Sequence, residues 1–382
     1  MYLCVVDYIS TIIVKNYLTI IFPIEMRTLK SASLILDDGT IFRGKSFGYD
    51  KSVSGEVVFN TAMTGYPESL TDPSYKGQLL VFTYPIIGNY GVPTNEIVDK
   101  LSLYYESENI HVKAVIVSDY SFDYSHWNGV KTLGEWLQEE EITGIFDIDT
   151  RALTKHLRER GSMTGKIVIE GCEDVAIENP NETNLVAEAS CKEVIEYGAG
   201  NKRVVMIDCG VKHNIVRCLL NRNVSVIRVP WDYDYSHIQY DGLFITNGPG
   251  DPSFCDVTVD HIRKTINDTM KPIFGICMGN HLLAKASGAK TYKLKYGHRG
   301  HNQPVREVGT NRCYITTQNH GFAVDESTLG NDWRPLFINM NDNTNEGIRH
   351  KSRPYFSAQF HPEASSGPTD AEVLFDDFVK LL

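Results

Sequence analysis

Residues Ile273-Phe274-Gly275-Ile276-Cys277-Met278-Gly279-Asn280-His281 decide the reading of the chain. Ile273 to Ile276 is a short apolar run of the kind found in a buried strand, and Met278 to Ser287 is patterned as a helix. Between them Cys277 stands two residues from a glycine on each side. A strand entering Gly-x-Cys-x-Gly and leaving as a helix is the thiol form of the nucleophile elbow. The glycines let backbone approach closely while the turn pushes the cysteine side chain outward. The helix starting at Met278 aims N–H groups at the sulfur, which favours the reactive thiolate. The Met278 N–H is also placed to hold an oxyanion. Taken alone, the same turn also suits a buried structural cysteine between packing glycines.

Upstream, Val204 to Ile207, Val224 to Val229 and Gly242 to Ile245 read as further strands. Helical patterns run over 212–223 and 257–270. Strands alternating with helices predict a mostly parallel sheet flanked by helices, with ligands at the carboxyl ends of the strands. Two glycine-rich loops fall at such ends, the Cys277 turn and Asn247-Gly248-Pro249-Gly250. The second offers backbone N–H groups suited to an anion or oxyanion, or simply makes a tight turn. No Gly-Lys-Ser/Thr or Gly-x-Gly-x-x-Gly pattern marks a phosphate loop.

A nucleophile needs a base, and the base an orienting group. Downstream, Tyr355 to Phe360 reads as a strand ending in His361-Pro362-Glu363. Two residues apart in extended chain, His361 and Glu363 project to the same side, so the carboxylate can set the imidazole tautomer. A surface turn with a capping carboxylate is the plainer reading of that tripeptide alone; with the cysteine turn it becomes a base and its orienter. Gln318-Asn319-His320-Gly321-Phe322, read as following a strand over Tyr314 to Thr317, offers polar substrate contacts or a plain turn. His298-x-x-His301 has metal-pair spacing, but further ligands are lacking nearby in sequence, so no metal site is expected.

With 382 residues, the chain suits two domains. Its hydrophobic fraction of 42% is that of a soluble globular protein, and a net charge of −11 argues against a nucleic-acid partner. The eight cysteines are scattered without a Cys-x-x-Cys pair, which reads as reduced thiols in a cytosol-like compartment. Residues 1–29 are taken as an amino-terminal extension. Its apolar stretch from Tyr2 to Ile24 is interrupted by Asp7 and Lys15 and lacks a basic start, so neither a membrane span nor a signal peptide is expected. Residues 30–170 form a smaller α/β or α+β domain opening on a hairpin at Asp38-Gly39. Strands are expected at 57–59, 79–82 and 114–117. Helices are expected at 132–139 and 150–160, the second capped by Asp149 or Thr150 and stopped by Gly161. Residues 171–202 are polar and read as a linker to a domain at 203–382.

Together, the Cys277 turn, Asn247 to Pro252 and His361-Pro362-Glu363-Ala364-Ser365 resemble the class I glutamine amidotransferases. Asp208 to Lys212, Gly288 to Thr291, Arg299 to Pro304 and Gln318 to Asp325 narrow the likeness to the glutaminase subunit or domain of carbamoyl-phosphate synthetase. The amino-terminal half agrees, through Gly55 to Thr61, Met63 to Tyr66, Thr71 to Tyr75 and Tyr84 to Asn89. That resemblance implies an α/β fold in which a class I amidotransferase domain follows the small-subunit amino-terminal domain. It implies Cys277 as nucleophile on L-glutamine, His361 as base and then acid, and Glu363 as orienter. It places Ser74, Gly248, Gly250, Met278, His281, Asn319, Gly321 and Phe322 against the substrate. Ammonia would pass through an internal channel to a synthetase, as a large subunit or a fused domain, that makes carbamoyl phosphate from bicarbonate and ATP. No cofactor is implied in this chain, ATP and magnesium serving the partner; no membrane is implied either. A cytoplasmic location is expected, with a mitochondrial one left open. The family's Gly-His-Gln is replaced here by Gly279-Asn280-His281, and an imidazole cannot present an amide's donor and acceptor together. That departure keeps open a second reading, a glutaminase-weak docking domain of an ammonia-using synthetase.

Overall fold

The computed structural model describes residues 29–382, so the extension read at the amino terminus lies, up to residue 28, outside the described residues. Strands β1 (Ser31–Leu36), β2 (Ile41–Ser46), β3 (Val53–Asn60), β4 (Gln78–Phe82), β5 (Ala114–Ile116), β6 (Thr143–Phe146) and β7 (Met163–Ile169) close into a barrel. Their order is β1-β7-β3-β4-β5-β6-β2. The expected β1–β2 hairpin is present, with Gly39 at φ 84°. Closure answers what the strand runs could not say. β3, β4, β5 and β6 are parallel and the other pairings antiparallel, so the domain is a mixed barrel.

Alternation explains why the runs are apolar throughout. Val57, Leu79, Val81, Ala114 and Ile116 pack into one core, while Val58, Leu80, Phe82 and Val115 pack into another. A strand buried on both faces reads as a near-continuous apolar run. The first helix is α1 (Tyr66–Thr71). Helix α2 (Leu133–Glu139) starts at a capping box: Thr132 accepts from the Glu135 N–H, and Glu135 accepts from the Thr132 N–H. Helix α3 (Thr150–Arg160) is capped by Asp149, which accepts from the Ala152 N–H at 2.8 Å.

Residues 171–202 are built, not merely connecting. They hold α4 (Leu185–Ala189) and the edge strand β8 (Ile195–Tyr197), which pairs antiparallel with the next domain's sheet. That sheet continues with β9 (Lys202–Asp208), β10 (Val224–Pro230), β11 (Gly242–Ile245), β12 (Ile273–Ile276), β13 (Lys290–Glu307), β14 (Cys313–Asp325), β15 (Trp333–Asn339), β16 (Asn345–His350) and β17 (Tyr355–Ala358). Its order is β8-β10-β9-β11-β12-β17-β16-β14-β13-β15, parallel from β10 to β17 and antiparallel beyond. Helices α5 (His213–Leu220), α6 (Asp256–Asp268), α7 (Met278–Ala286) and α8 (Val373–Leu381) cover it. Val204, Met206, Phe244 and Phe274 join Ile215 and Leu219 of α5 and Phe375 and Phe378 of α8 on one face. Val205, Ile207, Leu243 and Ile245 join Ile262 of α6 and Leu282 and Leu283 of α7 on the other.

One local expectation changes. The run Gln318 to Phe322 is not a loop after a strand; it lies inside β14. Arg299 pairs with Asn319 and His298 with His320 across β13 and β14. The asparagine and glycine that signal a turn are overridden by the ladder of the long neighbouring strand. Among the described residues no helix is long and apolar enough to cross a membrane.

Candidate active site

Cys277 directly follows β12 and is the cap of α7, with φ 53° and ψ −99°. A non-glycine residue in such a conformation costs on the order of 1–3 kcal/mol and is held by its surroundings. Three contacts hold it here. The Cys277 N–H donates to the Ala358 carbonyl at 2.8 Å, on the adjacent parallel strand β17. A Cβ on Gly275 would lie 2.5 Å from the Gly279 carbonyl oxygen, and one on Gly279 would lie 2.2 Å from that of Ile245. Both glycines are therefore required by close approach. Asn280, in the departure from the family's pattern, ties the elbow to the next strand: it donates to Gln359 at 2.6 Å and accepts from Ser357 at 2.7 Å.

His361 follows β17, at the same end of the sheet as Cys277. Sequence-distant groups meet because β12 and β17 are parallel neighbours, with Ile276 opposite Ala358. The His361 backbone N–H donates to the Thr317 carbonyl at 2.8 Å, which ties this turn of chain to β14. Nδ1 donates to Glu363 Oε1 at 2.6 Å. Nε2 is buried and, among the described residues, without a hydrogen-bond partner. Burial opposes the imidazolium, but the Glu363 carboxylate and the Cys277 side chain outweigh it and raise its pKa to about 10. Glu363 is pulled down to about 2 against its burial by Lys212 and His361. The Cys277 sulfur lies 3.7 Å from the Asn319 carbonyl.

Lys212 is the functional residue that sequence reading passed over. Its ammonium donates to Glu363 Oε1 at 3.0 Å and to the Ala364 carbonyl at 2.6 Å, fully buried beside His361's partner. Burial works against its charge, but Glu363 and Glu106 hold its pKa above the ordinary lysine value. Glu106 comes from the barrel domain, 3.9 Å from Lys212 and 3.0 Å from Arg217. No spacing in the sequence links these residues; the seam between the domains does.

The same seam forms a wall of the cleft. Asp72 Oδ2 accepts from Asn319 at 3.1 Å, and Ser74 Oγ accepts from Asn247 at 2.9 Å. Cys277 shares one cleft with Ser74, Gly248, Gly250, Met278, His281, Asn319, Gly321 and Phe322, so all eight predicted contact residues come together. Glu56, Lys293 and Arg299 add charge of both signs to its lining. Glu56 and Lys293 pair across the domains at 2.7 Å. His281 is buried, its Nδ1 has no partner among the described residues, and burial lowers its pKa to about 3. It is a neutral imidazole, and no side-chain hydrogen bond from it is found among the described residues.

The charge states of the pair predict a pH signature. His361 is raised above its ordinary 6.5, so its contribution to stability is complete below about pH 6.5 and lost as pH rises through 10. Glu363 is lowered, so its contribution is complete above about pH 4.5 and lost as pH falls through 2. The stability gap between the wild-type chain and His361→Asn should therefore narrow from pH 6.5 to 10 in urea unfolding; a gap independent of pH rules the pairing out.

Residues 205–381 match the family model described as glutamine amidotransferase class-I. Residues 34–167 match that of the carbamoyl-phosphate synthase small chain, CPSase domain. The arginine-specific small chain of carbamoyl phosphate synthase from Saccharomyces cerevisiae is 49% identical, over 91% of this chain and 87% of that protein. The multifunctional protein ura1 of Schizosaccharomyces pombe is 49% identical over 94% of this chain, which spans 18% of that protein's length. The mitochondrial carbamoyl-phosphate synthase (ammonia) of Homo sapiens is 49% identical over 92% of this chain, which spans 24% of its length. With a barrel domain and an amidotransferase domain both matched, and a small chain matched nearly end to end, the chain belongs to the family of the carbamoyl-phosphate synthase small chain.

Proposed function

We propose that the chain hydrolyses L-glutamine to glutamate and ammonia and hands the ammonia to a carbamoyl-phosphate synthetase, as a separate large subunit or a fused domain. The observation that carries this reading is the single cleft holding Cys277 and every predicted contact residue, with the His361–Glu363 pair just past the end of the next strand. Cys277 attacks the side-chain amide carbon as the thiolate, its proton resident on His361. The Met278 N–H at the first turn of α7 stabilises the oxyanion. His361 passes its proton to the leaving ammonia, and a thioester to Cys277 remains. Water, deprotonated by His361, then attacks the thioester carbon and releases glutamate. Glu363 keeps the imidazole oriented throughout, and Lys212 keeps Glu363 ionised. ATP and magnesium are needed only by the synthetase. The test is glutamate release by the chain together with its synthetase; absence of release, with normal ammonia-driven synthesis, rules the reading out.

That last result is the one a docking domain on an ammonia-using synthetase predicts, and His281 favours this second reading. A histidine lines the cleft where the family's amide offers a donor and an acceptor on one group. His281→Gln should restore the missing hydrogen bond, worth roughly 0.5–1.5 kcal/mol, and lower KM for glutamine about two- to tenfold at little-changed kcat. An unchanged KM means that position 281 does not touch the substrate.

A further inference from the structure

Behind the cleft, His298, His320 and Glu346 converge from three neighbouring strands, each buried. His298 and His320 are register partners on β13 and β14, and Glu346 lies on β16, beside β14. The sequence pairs His298 with His301 by spacing; the sheet pairs it with His320 instead.

The hydrogen bonds around His320 leave a conflict. Thr316 Oγ1 donates to the Gln303 carbonyl at 2.9 Å, so it can only accept from Gln318 Nε2, at 3.2 Å. That fixes the Gln318 amide with Oε1 toward His320 Nε2, at 3.1 Å. His320 Nδ1 must donate to the Phe322 carbonyl at 2.8 Å. With Nδ1 as the donor, a neutral ring presents a lone pair at Nε2. Two acceptors therefore face each other, and Glu346 Oε1 adds a third at 3.9 Å from His320 Nε2. Glu346 Oε2 is buried with no partner among the described residues. On the far side, His298 Nε2 holds Asp342 at 2.8 Å and Nδ1 faces Glu346 Oε1 at 3.4 Å, so an ion bound there takes the place of the Nδ1 proton. Asn339 Nδ2 donates to Glu346 Oε1 at 2.9 Å and lies 3.5 Å from His298 Nδ1.

We propose that His298 Nδ1, His320 Nε2 and the Glu346 carboxylate bind a divalent transition-metal ion of the zinc type, with Gln318 Oε1 alongside. Two imidazoles and a carboxylate are zinc-type donors, and a tetrahedral site with bonds near 2.0–2.1 Å sets donors roughly 3.3–3.5 Å apart. The His298–Glu346 edge already has that length. All three ligand atoms lie within 4.8 Å of one another, so the widest edge closes by at most about 1.5 Å. Asp342 is the outer carboxylate that orients a metal-binding histidine. His320 also lines the cleft, which provides the path of entry. The ion resolves the facing lone pairs and locks the strand carrying Asn319, Gly321 and Phe322 to its neighbours. Its first effect is on stability, independent of glutamine chemistry.

The test uses the full chain stripped with a chelator and titrated with Co²⁺ and Zn²⁺. One Co²⁺ per chain is expected, with visible d–d absorption of a low-coordinate site, displaced by Zn²⁺ with a rise in Tm. Glu346→Gln and His298→Asn should each weaken binding about tenfold or more. Cys277→Ser and His301→Asn should leave it intact. Circular dichroism confirms that each variant is folded, and His298→Asn decides the matter if Glu346→Gln is not. No binding by the folded wild-type chain, or equal binding by the folded variants, overturns the site.

Discussion

Cys277→Ser should lower glutamate release by on the order of 10⁴- to 10⁶-fold while ammonia-driven carbamoyl phosphate synthesis by the assembled synthetase continues. Both halves follow from the elbow. The strained backbone at Cys277 is fixed by the Ala358 hydrogen bond and by the contacts of Gly275 and Gly279. None of these involves the sulfur, so serine fits the same turn and the chain stays folded. What is lost is the thiolate: a hydroxyl does not ionise near neutral pH, and His361, already holding its proton, is a poor base for it. On the proposed function, free ammonia reaches the synthetase without entering this cleft. Glutamate production and both synthesis reactions are measured in one preparation. Persistent release shows that another group is the nucleophile, and loss of both activities shows that the substitution damaged docking.

The second large effect is on stability. Lys212→Met should cost about 3–5 kcal/mol, the usual penalty for removing one partner of a buried ion pair. Methionine nearly matches the lysine stem in volume, so the loss is of charge and not of packing. It leaves Glu363 ionised and buried, with only His361 to balance it, and takes one of two cations from Glu106. Adding Glu363→Gln should recover much of the loss, because the stranded charge is then gone. Urea unfolding at pH 7 measures both variants. A cost below about 1 kcal/mol for Lys212→Met, the range of exposed pairs, shows that the buried charges are compensated elsewhere.

These two positions differ in how readable they were. Cys277 announced itself through a local pattern, an apolar run, two glycines and a helix, all within one turn of chain. His361 and Glu363 were legible for the same reason, since two residues in extended backbone share a side. Lys212 was not. Its neighbours on the chain say nothing about a carboxylate from β17's far loop or from the barrel domain. The misplaced loop at Gln318 to Phe322 has a related cause, because its turn-forming residues are held extended by pairing with Arg299 and His298.

The sequence by itself determined the strand–elbow–helix unit, the alternation that makes a parallel sheet, and the local geometry of the base and its orienter. All of these depend on contacts within a few residues, where backbone sterics and side-chain period suffice. Only the tertiary structure decided that the barrel closes, that Glu106 and Lys212 stand behind Glu363, and that His298 meets His320 and Glu346 instead of His301. Those outcomes depend on which strands become neighbours and how two domains dock, and pairing across a sheet joins residues at separations that no local pattern records.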